Sequence, residues 1–215
     1  MSMKYKAVLY DMDGTVLDTL EDLHDSVNAG LAHFGLPATS LQTTRAGLGN
    51  GALHLLHVSM PGQPEELVQQ MLNWYVPWYQ SHCQIKTRPY DGILPLMERL
   101  REKGIHQAIV SNKPDGAVRE LAETFFAGLM DVVVGDSPAV RRKPQPDTVL
   151  RAAEQMGMTA ADCVYVGDTE VDIQTAQNAG MDCIIVTWGF RDEEELLAAG
   201  AKLIAHDPAE LEALL

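Results

Sequence analysis

Apolar residues along this chain fall into two rhythms. Five short runs, AVLY (7–10), AIV (108–110), VVV (132–134), VYV (164–166) and IIV (184–186), are unbroken by polar residues and rich in Val and Ile. Runs of this kind predict strands covered on both faces, and hence a parallel sheet. KLIA (202–205) is weaker and reads as an added edge strand. Between the runs, ILPLMERLREKG (93–104), DGAVRELAETFFAG (115–128), QPDTVLRAAEQMG (145–157) and EVDIQTAQNAG (170–180) repeat apolar residues at helical spacing, and each stops at a glycine. Strand alternating with helix predicts a doubly wound α/β domain with a Rossmann-like core.

The spacing of the runs is uneven. Val110 to Val132 is 22 residues, Val134 to Val164 is 30, and Val166 to Ile184 is 18, but Tyr10 to Ala108 is 98. An ordinary crossover does not use that many, so roughly 70 residues are inserted after the first strand. LEDLHDSVNAGLAHFG (20–35), ALHLLHVSM (52–60) and PEELVQQMLNWYVPWYQSHC (64–83) predict that the insert is helical. The expected division is an α/β catalytic core over 1–15 and 86–215, and a small helical cap over 16–85. Trp74 and Trp78 leave two readings of the cap open, an interface or internal packing.

Composition narrows the setting. With 46% hydrophobic and 21% charged residues, the 215-residue chain has the make-up of a soluble globular protein. Its formal charge of −14 argues against nucleic acid and anionic membrane as partners. An anionic small molecule would need local cations to be drawn in. Cys83, Cys163 and Cys183 form no CxxC pair, which favours a reducing compartment. The opening MSMKYKAVLYDMDG has no long apolar segment, and no run approaches the ~18 residues of a membrane span. A cytoplasmic monomer or homodimer is expected.

Candidate chemistry sits where strands end. AVLY ends in Asp11, AIV in Ser111 and Asn112, VVV leads through Gly135 to Asp136, and VYV leads through Gly167 to Asp168. In an open parallel sheet those ends face one crevice, so residues distant in sequence should converge. In DMDGT, Asp11 and Asp13 flank one residue and precede Gly14, and such a pair can share a hard cation. A calcium loop is excluded, because Thr15 and Val16 stand where an acid and a glycine would be needed. SNKP (111–114) offers a hydroxyl and an amide to phosphate oxygens, or is a polar turn. In VYVGDTEVD (164–172), Asp172 follows Asp168 by one helical turn and can face the same way, while Asp168 or Thr169 can cap a helix. GLGNGA (47–52) fits a GxGxxA fingerprint, but no apolar strand precedes it, and the dinucleotide reading is rejected.

Together, DxDGT after a strand, Ser-Asn after the second, a Lys-Pro segment and GDxxxD resemble the four motifs of the haloacid dehalogenase-like phosphatases, in order and in strand context. The insert resembles that family's helical cap. TTRAGLGNG (43–51) and GDTEVDIQTAQNAGM (167–181) are similar to segments of phosphoglycolate phosphatases. The resemblance implies Mg²⁺-dependent hydrolysis of a small phosphate monoester, 2-phosphoglycolate among the candidates, through an aspartyl-phosphate. It implies Asp11 as nucleophile and Asp13 as acid and base. Mg²⁺ would be held by Asp11, the backbone carbonyl of Asp13 and Asp168, with Asp172 orienting the metal shell. Ser111 and Lys143 would hold phosphoryl oxygens, with Thr15 and Asn112 beside them. Residues 16–85 contain no lysine and one arginine, Arg45, so the Schiff-base chemistry of phosphonatase relatives is not expected. Arg45 is either a clamp for a substrate carboxylate or a solvated side chain. His54 and His57 lack an evident third metal ligand. Two other classes stay open: a phosphomutase acting on a sugar phosphate, and a non-catalytic phosphoacceptor domain.

Overall fold

The computed structural model describes residues 4–215. Six parallel strands form the central sheet: β1 (Ala7–Tyr10), β4 (His106–Pro114), β5 (Val132–Asp136), β6 (Cys163–Gly167), β7 (Asp182–Val186) and β8 (Ile204–Ala205). Their order is β5-β4-β1-β6-β7-β8, so β1 is central and the winding reverses beside it. All four residues of β1 are buried, as the unbroken apolar run requires. Tyr10 pairs with Ile109 on one side and Val166 on the other, and this register brings the ends of β1, β4 and β6 level.

Helices α5 (Ile93–Glu102), α6 (Asp115–Phe126), α7 (Asp147–Gln155), α8 (Glu170–Ala179), α9 (Glu193–Ala198) and α10 (Pro208–Leu214) accompany the sheet. In α5 the buried residues are Ile93, Leu96, Met97 and Leu100, a stripe at i, i+3, i+4 and i+7. Helix α8 ends at Gly180, whose left-handed backbone closes it.

The long excursion after β1 is helical, as the sequence predicts. A two-stranded antiparallel ladder, β2 (Leu17–Asp18) with β3 (Arg88–Pro89), joins its two ends. Between them lie α1 (Leu20–His33), α2 (Leu41–Ala46), α3 (Ala52–Ser59) and α4 (Glu65–Gln80). The buried Asp22 carboxylate accepts backbone N–H bonds from Lys86 and Thr87 at 2.8–3.0 Å, tying the returning chain to α1. Leu23, Val27, Leu31, Leu55, Leu56, Val68, Met71, Tyr75 and Tyr79 are buried in one apolar cluster continuous with a face of the sheet. Trp74 stacks between His33 and Trp78 at 5.0 and 4.8 Å between ring centroids, and Trp78 stacks on His82. Among the described residues no helix is long and apolar enough to cross a membrane.

Candidate active site

The first carboxylate, Asp11, follows directly on β1. Its backbone N–H donates to Val166 O at 2.8 Å, so the β1–β6 ladder fixes its place. Oδ1 accepts from the Met12 N–H at 2.7 Å and Oδ2 lies 3.0 Å from Lys143 Nζ. Burial raises the Asp11 pKa to about 7 against the opposing charge of Lys143, with Asp172 and Asp13 adding to the rise.

Asp168 comes from the loop after β6 and is fully buried. Oδ1 accepts the Thr15 hydroxyl at 2.8 Å, and Oδ2 accepts the Phe190 N–H at 2.8 Å. Neither donor carries charge, and burial together with Asp172 and Asp11 raises its pKa well above the carboxylate range. Two glycines make room for it. Gly14 has φ +83°, and a β-carbon there or on Gly189 would overlap the Asp168 carboxylate.

Asp172, in the first turn of α8, accepts from Lys143 Nζ and the Tyr165 hydroxyl on Oδ1, and from the Asp168 and Thr169 N–H groups and the Thr169 hydroxyl on Oδ2. Burial alone would raise its pKa. The Lys143 charge and the hydrogen bonds from Lys143, Thr169 and Tyr165 hold it below the usual value instead. Helix capping and site building therefore coincide in one residue.

Asp11, Asp168 and Asp172 each offer an oxygen within 4.8 Å of the others. Lys143 is the cation in contact with Asp11 and Asp172, and one ammonium cannot balance three buried carboxyl groups in their ionised form. That donor set fits a divalent, oxygen-seeking cation. Asp11 and Asp168 have lone pairs to spare, whereas Asp172 already receives five donors and suits an orienting role.

A cavity of about 50 Å³ opens beside Asp11, between the sheet and the insert. Asp13, Ser111, Asn112 and Lys113 border it on the core side, and Leu23, Leu48, Leu55, Tyr75 and Tyr79 on the insert side.

Lys143 meets Asp11, Asp172 and Tyr165 through its ammonium, which holds the two carboxylates in place, and it is not among the residues lining the cavity. The Asn112 amide borders the cavity but donates to Gly49 O and Lys143 O at 3.0 Å, and its oxygen accepts the Lys143 N–H, so it is a tie between loops. The Thr15 hydroxyl likewise serves Asp168. The Asp13 carboxylate pairs with Lys113; the group expected at the metal is its backbone carbonyl. Arg45 is not among the residues lining the cavity: its guanidinium pairs with Asp192 at 3.1 Å and reaches Gly189 O at 3.4 Å, linking insert and core. His57 pairs with Glu65, and neither His54 nor His57 belongs to a metal-capable cluster among the described residues.

Lys113 is the residue that sequence reading passed over. Its Nζ lies 2.6 Å from Asp13 Oδ1 and 4.5 Å from the centre of the Tyr79 ring. The available signal was its place in SNKP, one residue beyond Asn112 at the sheet's polar edge.

The sequence profile of the haloacid dehalogenase-like hydrolases matches residues 8–186. The chain belongs to that family. It is 32% identical over 191 residues to the phosphoglycolate phosphatase of Xylella fastidiosa, covering 88% of this chain and 83% of that protein. It is also 32% identical over 214 residues to the N-acetylmuramic acid 6-phosphate phosphatase of Pseudomonas aeruginosa, covering 97% and 94%. A crystal structure from Lactobacillus delbrueckii subsp. bulgaricus, solved as a candidate phosphoglycolate phosphatase, superposes with a TM-score of 0.91 at 38% identity, covering 99% of both chains. This haloacid dehalogenase-like chain is a hydrolase acting on phosphoric monoesters.

Proposed function

We propose that the protein is a Mg²⁺-dependent phosphatase of a small phosphate monoester, working through an aspartyl-phosphate at Asp11, with the helical insert as its cap. The observation that carries this reading is the pairing of a cavity-lining carboxylate, Asp11, with buried Asp168 and Asp172, a cluster that one Lys143 ammonium does not balance and a divalent cation would.

Asp11 and Asp168 would hold Mg²⁺, together with the backbone carbonyl of Asp13, and Asp172 would orient that shell. Bound there, the cation would offset charge on the phosphoryl oxygens. Lys143 and the Met12 N–H keep the Asp11 carboxylate aimed. An Asp11 oxygen attacks phosphorus, the P–O bond to the leaving group breaks, and Asp13 gives that alkoxide a proton. Asp13 then takes a proton from water, whose oxygen attacks the same phosphorus and returns Asp11 and inorganic phosphate. The Ser111 hydroxyl, bordering the cavity beside Asp11, meets a phosphoryl oxygen. The cavity lies between core and insert, so movement of the insert would admit substrate and its closure would exclude bulk water.

The names of the relatives join one level of identity to two different leaving groups, glycolate and N-acetylmuramic acid. The leaving group is therefore to be read from this chain's own cavity.

The test is Mg²⁺-dependent release of inorganic phosphate from a panel of small esters by the intact chain and by Asp11→Asn. The variant is expected to lose release by at least a thousandfold. Retained turnover would remove Asp11 as nucleophile, and transfer of phosphate to a second position of a sugar without release would favour a mutase.

A further inference from the structure

Two tyrosines that border the cavity on the insert's side carry buried hydroxyls without a partner. Tyr75 and Tyr79 stand one turn apart on α4, which sets them on the same face. Their rings stack at 5.7 Å between centroids with planes 8° apart. Both residues border the cavity and are almost wholly buried, at 1% and 2% exposure. Neither phenol oxygen makes a hydrogen bond, whereas a buried tyrosine hydroxyl usually has one. Other buried polar atoms also lack partners, but among the described residues only these two belong to residues bordering the cavity. Burial raises both phenol pKa values, so both hydroxyls are neutral, and both feel the charge of Asp13.

The remainder of this wall is apolar, built from Leu23, Leu48, Ala52 and Leu55. Among the described residues no arginine borders the cavity. Lys113 does, but its ammonium already meets Asp13. A carboxylate on the leaving group would have to share the Lys113 ammonium with Asp13, a costly arrangement in a buried place. A neutral hydroxyl can both donate to and accept from the phenols, and leaves no buried charge. The volume of about 50 Å³ admits a leaving group of only a few heavy atoms unless the insert opens.

Resting on the phosphatase reading above, we infer that Tyr75 and Tyr79 are specificity residues that select a small, uncharged leaving group bearing a second hydroxyl. The leaving alcohol is then a short diol or polyol, and a carboxylated alcohol such as glycolate is discriminated against.

Three esters of nearly equal size separate the possibilities: 2-hydroxyethyl phosphate, n-propyl phosphate and 2-phosphoglycolate. With the intact chain and Mg²⁺, kcat/KM is expected to be at least tenfold higher for 2-hydroxyethyl phosphate than for either of the others. In Tyr75→Phe, Tyr79→Phe and the double variant, the hydroxyethyl-to-propyl ratio should fall stepwise towards one. Faster hydrolysis of 2-phosphoglycolate would overturn the inference and leave the phosphatase reading standing. So would a hydroxyl preference that survives the double variant. Release of phosphate from none of the three esters, nor from p-nitrophenyl phosphate, would overturn both readings together.

Discussion

Lys113 Nζ lies 2.6 Å from Asp13 Oδ1, an ion pair that joins the end of β4 to the loop following β1. Lys113 is 2% exposed at its side chain and Asp13 18%, so the pair sits between the buried and the solvated extremes. Under the proposed mechanism Asp13 must present its carboxyl group to the leaving oxygen, and Lys113 fixes where that group points. Lys113→Met is expected to lower kcat by about 10–100-fold, within what a positioned acid–base group contributes. It should also cost about 2 kcal/mol of stability, because Asp13 loses its partner in a mostly buried place. Urea midpoints check the second figure. The double variant Asp13→Asn with Lys113→Met should recover much of the stability and none of the activity.

Metal should act on stability as well as on rate. Burial and its acidic neighbours raise the Asp168 pKa well above the usual carboxylate value, so above its unfolded value this group costs the metal-free protein stability. Asp168→Asn removes that cost and is expected to raise the melting temperature measured in chelator. Mg²⁺ should raise the wild-type melting temperature by about 5–10 °C at a hundredfold excess over its dissociation constant. It should leave Asp168→Asn within a degree. A thermal-shift series in chelator and in Mg²⁺ reads both effects, and equal responses of the two proteins would remove Asp168 from the metal site.

Physical scale explains which features could be read from the sequence. The strand β1 was legible because AVLY is buried on both faces, and the helical insert because no crossover needs 98 residues. The convergence of Asp11 and Asp168 followed from their places at the ends of parallel strands, and that of Asp172 from its place one helical turn beyond Asp168. The ladder of β2 with β3 was not legible, since two residues per strand carry no period. Nor was α2, whose six residues bury only Thr44. SNKP reads either as a polar turn or as a strand end suited to phosphate, and all of it lies in β4, which runs past a register shift to pair Pro114 with Asp136. The side-chain partners were hidden by distance. Lys113 meets Asp13 across 100 positions and Arg45 meets Asp192 across 147. Tyr75 and Tyr79 have the spacing of any core pair, and only the packed structure reveals that their hydroxyls lack partners.

Arg45 makes a prediction that separates linking from clamping. Its guanidinium reaches Asp192 and Gly189 O, while Arg191 reaches back to Arg45 O and Leu48 O at 3.4 and 2.9 Å. These bonds join the insert to the loop beside Gly189, outside the cavity lining. Arg45→Ala is expected to change kcat/KM by the same factor, about two- to fivefold, for carboxylated and uncharged esters, as fits the loss of one mostly exposed ion pair. Steady-state kinetics on 2-phosphoglycolate and propyl phosphate make the comparison. A loss confined to the carboxylated ester would return Arg45 to the substrate.

Acid stability has a local source far from the site. Glu212 in α10 accepts from Arg99 at 2.7 and 3.0 Å and from Lys103 at 2.8 Å, which fastens α10 to α5. Hydrogen bonds from Arg99 and Lys103 lower its pKa to about 2. A carboxylate with a depressed folded-state value stabilises fully above its unfolded value of 4.5, and that stability is lost as pH falls through about 2. Glu212→Gln should therefore be less stable than the wild type at pH 7, by about 0.5–1 kcal/mol once solvent screening is allowed for. The two proteins should converge as pH falls from 4.5 to 2, and added salt should narrow the gap at neutral pH. Urea unfolding followed by circular dichroism at stepped pH measures this. A gap that stays constant from pH 7 to pH 2 would show that the Arg99–Glu212–Lys103 cluster contributes nothing through its charge.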